Sequence, residues 1–224
     1  QFNDSADLAK YPRTIESDTK ILVYAGCDVL YLPTGADVYN GEVKVTEKFN
    51  FYGLDTILEG ASRPGHFAGV AQVVKLLLDI TEPHKIFLGQ KDFQQWLIIQ
   101  RMVQMLKMPV AVVRCPIYRE ENGLAMSSRN IRLSEQARKD ASVIFQTLQW
   151  AAAQLPFMPA QKIEREAVNR INGVRNFITD YFNILHASDL TPVVRYDSAK
   201  ETVIVTSVLV EGVRLLDNLL IEAF

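Results

Sequence analysis

At 224 residues, with 48% hydrophobic and 22% charged side chains, the chain has an ordinary globular composition, enough for one large domain or two small ones. A formal charge of -2 excludes a global basic field that would recruit nucleic acid or anionic lipid. Two cysteines (Cys27, Cys115) and three scattered histidines (His66, His84, His186) exclude a disulfide framework and zinc-type spacing, and no apolar run is long enough to span a bilayer.

The expectation is a cytoplasmic protein without nucleic-acid, membrane or resident-metal partners, its two thiols buried as small hydrophobes. Asp4, Ser5 and Asp7 read as cap material for a short helical turn that Pro12 ends. Residues 14–25 predict a helix with Ile15, Ile21, Leu22 and Ala25 near one face and Gly26 placed to cap it. Residues 28–33 form a β-branched and aromatic run stopped by Pro33, hence a strand, and residues 34–56 read as loop and short strands.

From Arg63 the pattern becomes regular. The turn Arg63-Pro64-Gly65-His66-Phe67 leads into a helix over residues 68–80, with Val70, Val73, Val74, Leu77 and Leu78 towards a core. A buried strand over 85–88, a polar turn over 89–92, a helix over 93–106 and a strand over 109–113 follow. Helix and strand alternating through short loops predict a parallel sheet wrapped by helices, which binds ligands beyond the carboxyl ends of its strands. After Asn130 the texture changes. Ser134 reads as the cap of a helix running to Leu155, a second helix covers 160–173, and strands are predicted over 182–185, 193–194 and 202–209. Residues 1–132 therefore read as one α/β domain and residues 133–224 as a separate α+β unit.

Two polar stretches fall on the predicted rim. In Gly123-Leu124-Ala125-Met126-Ser127-Ser128-Arg129-Asn130, two hydroxyls and a guanidinium follow a bendable Gly. Hydroxyls, backbone N–H groups and a planar guanidinium fork suit phosphate oxygens; the alternative is a Ser-rich loop leading into a helix cap. In Gly89-Gln90-Lys91-Asp92, Lys91 is either solvated or a phosphate ligand, and Asp92 either caps the next helix or meets ligand. Gln94 and Gln95 begin that helix, on a solvent face or as amides for a hydroxylated small molecule. His66, in a turn beside Phe67, is structural or a ligand contact.

Taken together, Arg63-Pro-Gly-His-Phe67 with Gly69-Val70, Gly89-Gln-Lys-Asp92 with Gln94-Gln95, Arg119-Glu120, residues 123–130 and Arg214-Leu-Leu-Asp-Asn218 resemble the pantothenate synthetase (pantoate–β-alanine ligase) family. Gln1-Phe2, Asp7-Leu8 and Tyr11-Pro12-Arg13-Thr14 add to a resemblance that spans essentially the whole chain. It implies a Rossmann-like nucleotidyltransferase domain followed by a small α+β lid domain, usually in a homodimer. The implied reaction adenylates pantoate with Mg²⁺-ATP, releases pyrophosphate, and lets β-alanine displace AMP to give pantothenate. By position, the resemblance gives Lys91, Ser127, Ser128 and Arg129 to the ATP phosphates as catalytic residues. It puts Gly89, Asp92 and Met126 at the nucleoside, Gln1 and Gln95 on pantoate, and Arg63 and His66 on the pantoate and β-alanine side. Gln90 stands where the family usually has Glu. The family's first strand, with its Pro-Thr-Met-Gly…His-x-Gly-His segment, is expected ahead of Gln1, so the Rossmann-like domain reads as N-terminally incomplete. Another nucleotidyltransferase of the same fold, and an inactive binding fragment, are the competing readings.

Overall fold

The computed structural model of the protein describes residues 13–39 and 49–224. Gln1 and the short turn ended by Pro12 lie outside the described residues. Helix α1 (Ile15–Tyr24) and a one-turn helix, α2 (Gly35–Tyr39), flank a segment without regular secondary structure. That segment, residues 28–33, is not the expected strand: Val29 is 81% and Leu32 59% exposed. Among the described residues no neighbouring strand pairs with it, and an apolar β-branched run cannot make a ladder alone. Cys27 is exposed rather than buried and Cys115 is half-buried; both are free thiols.

The regular alternation is realised. A turn, α3 (Glu59–Ser62), precedes α4 (His66–Thr81); then come β1 (Lys85–Gly89), a 3₁₀ turn over Gln90–Asp92, α5 (Phe93–Met105) and β2 (Ala111–Cys115). Strands β1 and β2 pair in parallel, with Lys85 opposite Ala111 and Gly89 opposite Cys115, so the 90–92 turn leaves the carboxyl end of this sheet. Among the described residues this sheet has two strands. Strand β1 is covered on one face only. Ile86 and Leu88 pack inward while Phe87 stays 63% exposed, correcting the expectation of a fully buried strand.

The second half begins after a 3₁₀ turn over Ser128–Arg132. Ser134 caps α6 (Glu135–Asp140) by accepting a hydrogen bond from the Ala137 N–H at 3.1 Å. The expected continuous helix is broken at Ala141, where the Ile144 N–H reaches back three residues instead of four, and α7 (Ser142–Gln154) starts anew. Helix α8 (Ala160–Asn172) then leads to β3 (Phe177–His186), β4 (Thr202–Val210) and β5 (Val213–Ile221), an antiparallel sheet in that order. Residues 193–194 are not a strand; Val193 donates to the Ile184 carbonyl beside an isolated bridge at Pro192. Strand β5 has no counterpart among the predicted elements. It returns through the two-residue turn Glu211-Gly212, both with positive φ (49° and 78°), as a tight hairpin requires.

Two cores result. One face of the β3–β5 sheet packs on Ile144, Leu148 and Ala151 of α7 and Ile163, Ala167 and Ile171 of α8, at helical spacing. The opposite face, through Leu185, Val203 and Val205, joins α4, α5 and the 51–58 loop around Phe51, Phe67, Ile98 and Met102. The central strand β4 is therefore buried on both faces, and its sequence reads as a near-continuous apolar run.

Candidate active site

The carboxyl end of β1 in the parallel sheet carries Gly89, Lys91, Asp92 and, at the start of α5, Gln95. Gly89 closes β1 in extended conformation, and the 90–92 turn lifts Lys91 away from it. Lys91 is half-buried, and its ammonium makes no hydrogen bond or ion pair with another described residue. Asp92 stands at the N-cap position of α5 without a side-chain capping bond, so its exposed carboxylate points outward. The turn itself is held from behind: the Asn218 amide donates to the carbonyls of Gln90 (2.9 Å) and Lys91 (3.0 Å), and its oxygen accepts from Gln90 Nε2 at 3.2 Å.

The neighbouring amides at the start of α5 separate cleanly. Gln94 is buried, with Nε2 donating to the Leu54 (2.6 Å) and Ile57 (2.8 Å) carbonyls and Oε1 accepting from the Glu59 N–H (3.1 Å). It pins the loop that precedes α3, and its burial turns it away from any substrate. Gln95 is half-buried, and among the described residues its amide has no hydrogen-bond partner.

The Ser-Ser-Arg stretch lies on a second rim segment, a narrow loop bridged at Arg119 and Ala125. Gly123 turns it with φ at 91°, and a Cβ there would stand 2.9 Å from Phe145 Cδ1, so a side chain is excluded twice over. Asn130 is buried and donates to Glu120 Oε1 (2.7 Å) and the Ala125 carbonyl (3.1 Å), so it closes the loop and does not face outward with its neighbours. Glu120 also accepts from Arg138 Nε at 2.7 Å, and this hydrogen bond and charge hold its carboxyl below the ordinary range. Ser127 Oγ accepts from the Arg129 N–H (3.2 Å), so Ser127 caps the 128–132 turn while Ser128 and Met126 are exposed.

Arg119 anchors this loop to the far strand. Its two terminal nitrogens bind both oxygens of Asp217 (2.7 and 2.9 Å), and its guanidinium stacks 3.6 Å from the Phe145 ring centre. Asp217 is 5% exposed; burial pushes its carboxyl up, opposed first by Arg119, then by the Asn218 N–H, and last by the charge of Lys91.

The third group sits at the start of α4. Gly65 occupies the N-cap position, the His66 N–H donates to the Arg63 carbonyl at 3.1 Å, and His66 is half-buried beside Phe67. Just upstream, the buried carboxylate of Glu59 binds Arg214 (2.6 Å) and accepts from the Tyr181 hydroxyl (3.0 Å); Arg214 also meets Asp180 at 2.7 Å. Burial and the Glu59 charge push the Tyr181 hydroxyl far up, so it stays a donor. Val73 and Val74 are both half-buried, Val74 packing against the core. Among the described residues, no three His, Cys, Asp or Glu side chains are grouped to hold a metal, and no helix is long and apolar enough to cross a membrane.

Sequence reasoning missed the far-strand residues. Asp217, Asn218 and Arg214 were named only as part of a resembling run, and Glu59 was not named; their partners lie 98 to 155 positions away, beyond any local pattern.

Comparison with known proteins fits this arrangement. The family model described as pantoate-beta-alanine ligase matches residues 1–220. Pantothenate synthetase from Cytophaga hutchinsonii is 41% identical over 223 residues, 99% of this chain and 78% of that protein. The pantothenate synthetase of Bacteroides fragilis is 40% identical over 222 residues, 98% of this chain and 77% of its own length. The crystal structure of pantothenate synthetase from Thermus thermophilus superposes with a TM-score of 0.89 at 34% identity, covering 99% of this chain and 80% of that one. That of the Francisella tularensis ligase, complexed with β-γ ATP and β-alanine, gives 0.74 at 29% identity, covering 98% and 74%. The fold is thus a Rossmann-like nucleotidyltransferase α/β arrangement with a small sheet unit. The chain belongs to the pantoate–β-alanine ligase family.

Proposed function

We propose that the rim of the parallel sheet is where this ligase joins pantoate to β-alanine through a pantoyl adenylate. A carboxylate oxygen of pantoate attacks the α-phosphorus of ATP and pyrophosphate leaves. The β-alanine amine then attacks the acyl carbon, AMP departs, and the amine proton is lost. Lys91, Ser127, Ser128 and Arg129 take the phosphate oxygens, whose charge grows in the first transition state. Gly89, Asp92 and Met126 border the nucleoside. Gln95, with Gln1, holds the hydroxyls of pantoate, and Arg63 and His66 line the side from which β-alanine enters. ATP is read as its Mg²⁺ complex, a cation that keeps phosphate oxygens and waters as ligands and asks little of the protein.

One observation carries this placement: Lys91 and Gln95, four positions apart at the end of the sheet, make no side-chain hydrogen bond or ion pair with another described residue, while the adjoining Gln94 is engaged in the core. An acyl adenylate hydrolyses readily, so the site must exclude water while β-alanine arrives. Residues 133–224 are the proposed cover, because β5 already touches both rim segments. A homodimer and a cytoplasmic location, where thiols such as Cys27 and Cys115 stay reduced, complete the reading. Single-turnover assays test it. Pyrophosphate release should require pantoate, and AMP release should require β-alanine; pyrophosphate formed equally without pantoate would overturn it.

A further inference from the structure

The dipeptide Asp217-Asn218 sits in mid-strand on β5, opposite Thr206 and Val205 of β4. Successive strand residues point to opposite faces, and here each face meets a different piece of the rim. Asp217 takes the Arg119 fork at the base of the loop that carries residues 127–129. Asn218 takes the backbone of the turn that carries Lys91, through two donated bonds and one accepted bond. Arg119 Nη2 also donates to the Asn218 carbonyl at 3.3 Å, and the Asn218 N–H to Asp217 Oδ1 at 2.7 Å, so the two anchors share one network. Both side chains are buried, Asn218 at 2% exposure and Asp217 at 5%. Burying an amide and a carboxylate in a β-strand is costly unless each polar atom is satisfied. These are satisfied by backbone and guanidinium groups of the two segments that carry the phosphate-binding side chains.

We infer that Asp217 and Asn218 are positioning residues for adenylation, setting the spacing between Lys91 on one rim segment and Ser127, Ser128 and Arg129 on the other. They touch no substrate. They act by fixing, from one strand, two loops whose roots meet at the paired ends of β1 and β2 but whose tips are separated by more than twenty residues of chain. Gln90 is part of the device, since its amide donates to the Asn218 oxygen. A Glu there would present a carboxylate to that oxygen, so this chain's Gln is matched to an Asn in the orientation observed.

The inference rests on the reading of Lys91 as a phosphate ligand, and a double-mutant cycle separates the two. ATP affinity is measured calorimetrically, with Mg²⁺ and salt held constant, for the parent protein, Lys91→Ala, Asn218→Ala and the double variant; single-turnover adenylation and urea midpoints are recorded for each. If Asn218 acts through Lys91, each single change weakens ATP by roughly tenfold or more, and the double variant is little worse than Lys91→Ala, a coupling ordinary for one network. Asn218→Asp, isosteric but unable to donate to the Gln90 and Lys91 carbonyls, should lose as much as Asn218→Ala. Where Asn218→Ala does not fold, Gln90→Ala removes a single rim bond and should show a smaller loss, equally non-additive with Lys91→Ala. Effects that multiply, or an Asn218→Asp variant with parental ATP affinity, overturn the positioning role. Unchanged ATP affinity in Lys91→Ala overturns the phosphate role of Lys91 and this inference with it.

Discussion

In the proposed reaction, the Lys91 ammonium on its three-residue turn helps to neutralise the charge that grows as the α-phosphorus becomes five-coordinate. Lys91→Ala should lower adenylation by roughly 10²–10³, the range for removing one preorganised electrostatic group, while addition of β-alanine to preformed pantoyl adenylate suffers less. Near-parental single-turnover adenylation would exclude the role. Gln95→Ala should act on the other substrate. It leaves pantoate hydroxyls without partners in a desolvated pocket, about 1–3 kcal/mol per lost buried bond, seen in the pantoate KM and not in ATP affinity. Loss of ATP binding with pantoate untouched would reverse the placement of the two substrates. At this scale the sequence was legible where chemistry is local: a Lys in a turn after a strand can be recognised as a rim residue. It was ambiguous for Gln94 and Gln95. Adjacent helix residues point about 100° apart, so one amide turns into the core and the other to the mouth, and two identical letters hold no sign of which is which.

Among elements, the loop between Arg119 and Asn130 is held together by charge as well as by its bridge. Glu120 joins Asn130 inside the loop to Arg138 on α6, and Arg138 first, then Asn130, draws its pKa below the ordinary 4.5. A carboxyl with a depressed folded pKa contributes stability that is fully present above the unfolded value and is lost as pH falls through the folded one. Glu120→Gln should therefore cost little, about 1 kcal/mol or less at neutral pH because Arg138 is 49% exposed. Its deficit against the parent should shrink as pH drops below 4.5. Urea midpoints of the two proteins across that window measure it, and a deficit constant with pH would show that the carboxylate's charge is idle. Elements with their own hydrophobic period, α4, α5 and α8, were legible to within a residue or two, whereas the break at Ala141 that separates α6 from α7 leaves no mark in that period. Strand β5 was not, because its turn uses Glu211 where Asn or Asp would be the usual signal, and its buried Asp217 and Asn218 interrupt the apolar pattern. Glu211 also ties the hairpin to the start of α6, where its carboxylate accepts from both the N–H and the hydroxyl of Ser134. The run at residues 28–33 failed in the opposite sense, having strand composition without a neighbouring strand among the described residues.

For the molecule as a whole, the antiparallel sheet is shared property. One face belongs to α7 and α8 and the other to the core of α4 and α5, so the second hydrophobic core crosses the change of texture near Leu133. The polar counterpart of that shared core is Glu59, 8% exposed, bound by Arg214 of β5 and by Tyr181 of β3 directly upstream of the Arg63–His66 turn. Removing one partner of such a pair leaves a buried charge uncompensated. Arg214→Ala should therefore destabilise by about 3 kcal/mol, the low end for buried pairs, because Arg214 is itself 31% exposed and water can partly replace it. Replacing both members, Glu59→Gln with Arg214→Met, removes the stranded charge and should recover most of that loss. The functional consequence follows from position. With the tie cut, Glu59 keeps the Tyr181 hydroxyl but the loop that Gln94 pins from below loses its charged anchor, so the pantoate and β-alanine KM values should rise more than that of ATP, whose proposed rim hangs from Asn218 instead. Hydrogen exchange in residues 54–66 should quicken in Arg214→Ala while the Gly89–Asp92 segment keeps its protection; loosening of both segments together would mean that β5 holds the rim as one piece and not through two separate anchors.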